Sequence, residues 1–266
     1  MDFPKSSQIA SQFEFVAETG STNADLIANS ANTDDFSVLV AGFQSAGRGR
    51  AGRDWVAPAG SSLFVSVLLK PVGVPAANFS WLPLLAGLAM TKTVAAVLSS
   101  SGIPDAPVGL KWPNDVLVGE KKISGVLSEL LGDLSGVVVG AGLNVRQEVA
   151  DLPIENATSL KIAGAQNIQL DDLLSSYLGN LRAFYEPWVA AAGNAVASGL
   201  RNQVIDACST LDRGGNNRIR AILPGEVEII GAAVGIDDTG RLIVQPDGAK
   251  EVIAVAAGDI VHLRHN

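Results

Sequence analysis

The chain reads as an α+β protein in two parts: a large domain of strands and helices over residues 1–213, and a small β domain over residues 214–266. Three observations predict this. Apolar runs of strand length occur at Ser37–Gln44, Ser62–Lys70, Ile123–Leu131 and Val137–Val145. A long apolar helical pattern fills 82–99. After Leu211 the texture changes to short β-rich runs separated by turn residues.

Taken in order, Gly20-Ser21-Thr22-Asn23-Ala24-Asp25 reads as a helix start. Ser21 or Thr22 can cap, Asp25 falls in the favourable first turn, and Leu26-Ile27 open an apolar face. The strands 37–44 and 62–70 flank a glycine- and arginine-rich loop. The run Trp81–Val97 is apolar enough to need testing as a membrane span. It carries Pro83 near its start, and Lys92 between two threonines in its middle. A lysine at the centre of a spanning helix costs about 3 kcal/mol, so this run is expected to be a buried core helix. It is punctuated by Ser99-Ser100-Ser101-Gly102 and Pro104. Gly132-Asp133-Leu134-Ser135-Gly136 joins the next two strands as a hairpin loop. A mainly helical stretch is expected from Leu170 to about Leu200, interrupted at Pro187. Arg213-Gly214-Gly215-Asn216-Asn217 resembles a linker. Beyond it come Arg218–Leu223, Glu226–Ile236, Arg241–Val244, Glu251–Val255 and Ile260–Leu263, whose spacing predicts a small β-barrel.

Composition excludes several function classes. The 266 residues are 47% hydrophobic and 17% charged, with mean hydropathy +0.28, enough for a sizeable core. There is one cysteine, Cys208, and two histidines, His262 and His265. No internal disulfide and no Cys/His zinc site can be built from these, and neither histidine lies near a serine elbow. Cys208 is expected to be a small buried hydrophobe. Met1–Ala10 is polar and lacks the apolar segment of a secretion signal, so a reducing cytoplasm is the expected location. The net charge of -8 and isoelectric point near 4.8 offer no electrostatic footprint for DNA.

Against that acidity, Gly47-Arg48-Gly49-Arg50-Ala51-Gly52-Arg53 gathers three arginines and three glycines into seven residues. Glycines allow close backbone approach, and guanidinium groups present forked donors to carboxylate or phosphate. Three unpaired like charges on such a loop should keep it mobile until an anion arrives. Downstream lie Lys111-Trp112-Pro113-Asn114-Asp115, then Lys121-Lys122-Ile123-Ser124-Gly125-Val126-Leu127, then Gly140-Ala141-Gly142-Leu143-Asn144-Val145. With Gly20-Ser21-Thr22-Asn23 upstream, these blocks in this order closely resemble the biotin protein ligases. The likeness is dense from Phe15 to Leu160 and looser in the C-terminal tail.

The resemblance implies a mixed-sheet catalytic domain of the class II synthetase-like biotin/lipoate ligase type, followed by an SH3-like domain. It implies two half-reactions: biotin's carboxylate attacks the α-phosphate of ATP, and a lysine of a carboxylase biotin-carrier domain then attacks the resulting biotinyl-5′-AMP. Such chemistry needs cations aimed at phosphoryl and acyl oxygens, and exclusion of water. By the same resemblance Lys122, Arg48 and Arg50 are catalytic. Ser21, Thr22, Asn23, Gln44, Gly125 and Leu127, with those three cations, would hold biotin. Arg50, Arg53, Trp55, Lys111, Asn114 and Asn144 would hold the nucleotide, and Asp115 would ligate Mg²⁺. Rival roles remain open: helix capping at Ser21 and Thr22, pairing of Arg53 with Asp54 or Glu18, an Asx turn at Asp115, and loop anchoring by Trp55. Lys121 is expected to point to the other face of the strand from Lys122.

Family members that also repress transcription carry an N-terminal helix-turn-helix domain. Here the motifs begin at Gly20, so the expectation is a ligase without DNA or membrane partners, monomeric or weakly dimeric, with a free or pairing edge strand near the hairpin. Two rival functions share parts of the pattern: a lipoate or octanoate ligase, and a biotin-responsive interaction protein without catalysis.

Overall fold

The structure is a computed structural model describing residues 1–212 and 218–263. The cluster 213–217, with the domain boundary placed on it, and His265 lie outside the described residues. In chain order the first part contains β1 (Phe13–Val16), α1 (Thr22–Asn29), β2 (Ser37–Ala41), β3 (Ser62–Leu69) and α2 (Leu82–Ser100). It continues with β4 (Val108–Lys111), β5 (Asp115–Val118), β6 (Lys121–Leu130), β7 (Val137–Asn144), α3 (Leu170–Ala190) and α4 (Leu200–Ala207). The C-terminal part is β8 (Arg218–Ile222), β9 (Glu228–Ile236), β10 (Leu242–Pro246), β11 (Ile253–Val255) and β12 (Asp259–His262).

The first seven strands form one sheet in the order β1-β2-β3-β7-β6-β5-β4. The β1–β2 pair is parallel and the remaining pairs are antiparallel, so the sheet is mixed. The β6–β7 hairpin is interior, and the edges are β1 and β4, which corrects the expectation of an edge strand beside the hairpin. Two-residue alternation sorts the side chains between two faces. Leu63, Val65, Val67 and Leu69 of β3, with Val137, Val139, Ala141 and Leu143 of β7, join the main core with α2 and α3. Leu68 and Val138 point the other way, to Leu26 of α1, and that second face carries the site described below.

The apolar stretch ending in α2 is long and apolar enough to cross a membrane, but 67% of its central window is buried inside the molecule. Lys92 takes the exposed side. Pro83 stands in the first turn, where a missing N–H breaks no bond. Helix α3 presents Leu174, Tyr177, Leu178, Leu181, Tyr185 and Trp188 to the core at helical spacing. It is not interrupted at Pro187: the helix runs on through that residue and ends at Ala190. The helix stops at Ala190, and a separate α4 follows, where one stretch to about Leu200 was expected.

All five C-terminal strands form, in the order β11-β10-β9-β8-β12. Among the described residues no pairing joins β11 to β12, so the unit is a five-stranded sheet here. Two tryptophans of the first part fasten it. Trp81 Nε1 donates to Asp238 O (2.9 Å) and Trp112 Nε1 to Gly240 O (3.0 Å). Ile219, Ala233, Leu242 and Val244 share the main core, so the sheet is docked by apolar burial as well as by these two bonds. Cys208 is buried in the same core, which raises its thiol pKa.

Candidate active site

The exposed face of the large sheet forms a cleft of about 770 Å³, within the size range of small-molecule sites. Its floor is β7 and β6, where Gly140, Gly142 and Gly125 leave room that side chains would fill. A β-carbon on Gly140 would overlap Asn23 Oδ1, and one on Gly142 would come within 2.6 Å of the Trp55 ring. One on Gly125 would meet Trp55 at 3.0 Å and Lys122 Nζ at 3.1 Å.

Buried polar groups brace one end of this floor. Ser66 Oγ lies 2.6 Å from Asn23 Oδ1 and 2.7 Å from Thr22 Oγ1. Gln44 Oε1 accepts from Thr22 N–H (2.8 Å) and Thr22 Oγ1 (3.1 Å). Ser21 occupies the N-cap position of α1, but its side chain makes no capping bond. Gln44 thus satisfies the first orphan amide of the helix, not one of the second- or third-position amides that a cap at Ser21 would serve. It does so from beyond the end of β2, which stops at Ala41 rather than Gln44.

The arginine loop is not an array of unpaired charges. Arg48 makes a forked pair with Glu129 (3.1 and 3.2 Å), and Arg53 pairs with Asp259 of β12 (2.9 Å) rather than with Asp54 or Glu18. Arg50 donates to neutral oxygens, Asn114 Oδ1 (2.8 Å) and Gly258 O (3.3 Å). Burial lowers the Arg50 guanidinium pKa from its ordinary value, against the opposing charges of Asp259 and Asp115. The backbone closes through Gly49 N–H to Arg53 O (2.6 Å) and Trp55 N–H to Gly47 O (2.9 Å).

At the other end β4 and β5 meet in a tight turn that sets Lys111 opposite Asp115. Asp115 pairs with Lys122 Nζ (2.7 Å), so its carboxylate serves neither as a free metal ligand nor as an Asx cap. A register shift explains how Lys122 arrives there. Val116 pairs with Ser124 but Leu117 with Lys122, leaving Ile123 as an extra residue in β6. Simple alternation would put Lys121 on the face of Gly125. The bulge turns Lys122 to that face instead and leaves Lys121 exposed. Burial holds Lys111 below the ordinary lysine pKa, with Asp115 acting against that shift.

Every residue singled out from sequence lines this one cleft: Ser21, Thr22, Asn23, Gln44, Arg48, Arg50, Arg53, Trp55, Lys111, Asn114, Asp115, Lys122, Gly125, Leu127 and Asn144. Three are already committed to the scaffold, Asn23 among them through Leu127 O, Glu129 and Ser66. Asn114 Nδ2 donates to Val126 O (2.8 Å) while its oxygen holds Arg50. Asn144 Nδ2 donates to Thr158 O (2.9 Å) and its oxygen accepts from Gln147 (3.0 Å). Trp55 lies over Gly125 and Gly142, with Lys122 Nζ 5.5 Å from its ring centroid, and its Nε1 is buried without a hydrogen-bond partner. Sequence reading missed Glu129, Asp259 and Ser66. Glu129 was reachable, since Gly125, Leu127 and Glu129 alternate along one face. Asp259 had no signal, because its partner is remote in sequence.

Residues 13–144 match the biotin/lipoate A/B protein ligase family, and residues 214–263 match the biotin protein ligase C-terminal domain. The chain is 40% identical to a biotin–[acetyl-CoA-carboxylase] ligase of Mycobacterium tuberculosis, over 95% of this chain and 90% of that one. It is 30% identical to the enzyme of the same name from Paracoccus denitrificans, over 91% and 97%. Among solved structures, the biotin protein ligase of Aquifex aeolicus in complex with biotin and ATP superposes with a TM-score of 0.76 at 26% identity, covering 96% of this chain and all of that one. With the expected fold, motifs and cleft all present, the chain belongs to the biotin protein ligases.

Proposed function

We propose that this protein uses ATP to attach biotin to a lysine of a carboxylase carrier domain through a biotinyl-5′-AMP intermediate. The observation that carries the reading is the convergence of Arg48, Arg50, Arg53, Lys111 and Lys122 on one cleft of a chain whose net charge is -8. The apolar, glycine-floored end beside Trp55, Gly125 and Leu127 suits a fused ring system, so Trp55, which lies over Gly125 and Gly142, is assigned to biotin rather than to the nucleotide. Ser21, Thr22 and Gln44 stand close to it with polar atoms for a urea head, and the unpartnered Trp55 Nε1 is a further donor.

In the first half-reaction a carboxylate oxygen forms a bond to the α-phosphorus while pyrophosphate leaves. Charge gathers on the phosphoryl oxygens, where Lys122 and Arg50 stand preorganised. Asp115 holds Lys122 aimed through their ion pair. Asn114 holds Arg50, using an acceptor that competes less for the guanidinium than a carboxylate would. Lys111 and Arg53 face the end assigned to the nucleotide phosphates. In the second half-reaction the carrier lysine's amine bonds to the acyl carbon and AMP leaves. No protein nucleophile is needed in either step.

The described residues contain no cluster of three His, Cys, Asp or Glu able to hold a metal. Asp115 is already paired with Lys122, so the donor set does not fit a resident Mg²⁺, and no step is routed through one. Divalent metal would come with the triphosphate, whose oxygens can supply the ligands a single carboxylate cannot. A cytoplasmic, monomeric or weakly dimeric enzyme without DNA or membrane partners completes the proposal.

The test is native mass spectrometry of the protein with biotin and MgATP, alongside lipoate and octanoate. The expected result is a non-covalent mass gain of biotinyl-AMP that requires biotin and ATP together. An adenylate of lipoate or octanoate instead would reassign the substrate. Folded protein that forms no adenylate would overturn the catalytic reading.

A further inference from the structure

We infer that Ser66 is a positioning residue that sets specificity at the polar end of the floor: its hydroxyl fixes the direction of the buried hydrogen bonds there, so that Thr22 Oγ1 can only accept from a ligand. The identity of that ligand, a urea head, rests on the ligase reading. Ser66 stands on β3 between Phe64 and Leu68, each buried in an apolar cluster, and is itself fully buried. A buried hydroxyl in such company needs partners, and it has two, Thr22 and Asn23. Directly across the ladder stands Gly140, whose missing side chain leaves the space that Asn23 fills.

The proton count fixes the direction of these bonds. Asn23 Nδ2 carries two hydrogens and both are placed, one on Leu127 O (3.2 Å) and one on the Glu129 carboxylate (2.8 Å). Asn23 Oδ1 must therefore accept, and its donor is the Ser66 hydroxyl (2.6 Å). Thr22 Oγ1 lies 2.7 Å from Ser66 Oγ and 3.1 Å from Gln44 Oε1. Two hydroxyl protons thus serve three contacts, and neither is left over for a ligand. Thr22 lines the cleft, and what its hydroxyl offers there is a lone pair. A ligand N–H finds an acceptor, while a ligand oxygen in the same place meets a second lone pair and is rejected. A urea head carries N–H groups, whereas a dithiolane or an alkyl chain has none. Without Ser66 the Thr22 proton keeps only the 3.1 Å contact to Gln44 Oε1, which Thr22 N–H already occupies (2.8 Å).

The test has two arms, and only the second rests on the ligase reading. In the first, guanidinium unfolding midpoints of the ligand-free protein are measured for Ser66→Ala, Thr22→Val and the pair. Ser66→Ala should lower the midpoint, because Asn23 Oδ1 loses its donor. The pair should lose clearly less than the sum, because both changes break one shared bond. In the second, the kinetics of adenylate formation are measured. Ser66→Ala should raise the biotin KM about tenfold, the size of one net hydrogen bond. It should leave kcat and the ATP KM within about twofold, a split that general loosening of the fold would not give. In the Thr22→Val background the same change should move the biotin KM less than about twofold. Dethiobiotin, which keeps the urea and lacks the ring sulfur, should weaken as a competitor by the same factor as biotin. Additive midpoints, KM effects that multiply, or unequal factors for the two acids would overturn the inference. If Ser66→Ala does not fold, Ser66→Cys reads both arms in its place, as a similar shape with a weaker donor. Wild type that forms no adenylate would sink the ligase reading and leave the first arm to judge the network.

Discussion

The floor of the cleft and the loop above it are built from the same residue types, glycine and polar groups, but they are held differently. The floor is held by its immediate neighbours. Its glycines fall on alternate positions of β7 and β6, its amides bond to strand carbonyls, and its cation Lys122 is aimed by a pair formed between adjacent strands. The loop is held by partners far away in the chain: Glu129, Asn114, Gly258 and Asp259. A site that must keep its reacting groups fixed and still admit two substrates needs this division. The floor supplies preorganisation, while the loop's bonds are few and can be exchanged for substrate anions.

The comparison can be broken most strongly at the floor. Lys122→Ala should lower the rate of adenylate formation about a hundredfold, near 3 kcal/mol, as for loss of one preorganised donor. Lys121→Ala should stay close to wild type, and single-turnover rates decide the point. Equal losses would mean that the bulge at Ile123 does not turn Lys122 into the cleft.

Glycine substitutions separate floor from loop. Gly140→Ala forces a β-carbon into Asn23, which has no room to yield, and should destabilise the fold by about 2 kcal/mol, read as a lower urea midpoint. Gly142→Ala strikes the Trp55 ring instead, and that ring belongs to the loop. It should leave the midpoint nearly unchanged while weakening biotin about tenfold, measured by calorimetry.

Lys111 tests what the site costs the fold. Burial depresses its pKa in the folded state, so the unfolded chain binds the proton more tightly. Stability must then rise with pH through the interval between the depressed value and the ordinary lysine value of 10.5. Lys111→Met should remove that slope and add roughly 1 kcal/mol of stability at neutral pH, while weakening ATP. Urea midpoints between neutral and alkaline pH check the sign.

The smallest effect is expected at the far end of the loop. Arg53 and Asp259 are both well exposed, so Arg53→Met should cost at most about 0.5 kcal/mol of stability, less in high salt. A larger loss would mean that the loop is tied to the C-terminal sheet as firmly as Glu129 ties it to the floor.

The sequence by itself determined the two-part α+β fold, most strand positions, the buried character of α2 and the membership of the cleft. Each follows from local rules: period-two alternation, apolar run length, turn residues, and motif blocks that keep a fixed order and spacing. What it could not determine were relations between distant segments. That Gln44 rather than Ser21 satisfies the start of α1, that α3 runs on through Pro187, and that the hairpin lies inside the sheet all depend on where other elements stop or pack. Lys122 makes the limit plain. Strict alternation back from Gly125 would select Lys121; the motif resemblance selects Lys122, and the extra residue in β6, created by its register against β5, supplies the physical reason. The arginine loop shows the same limit for charge. Its cations are legible in sequence, but a carboxylate from β6 and another from β12 reach them only once the chain is folded, and that proximity turns three repelling charges into a closed loop.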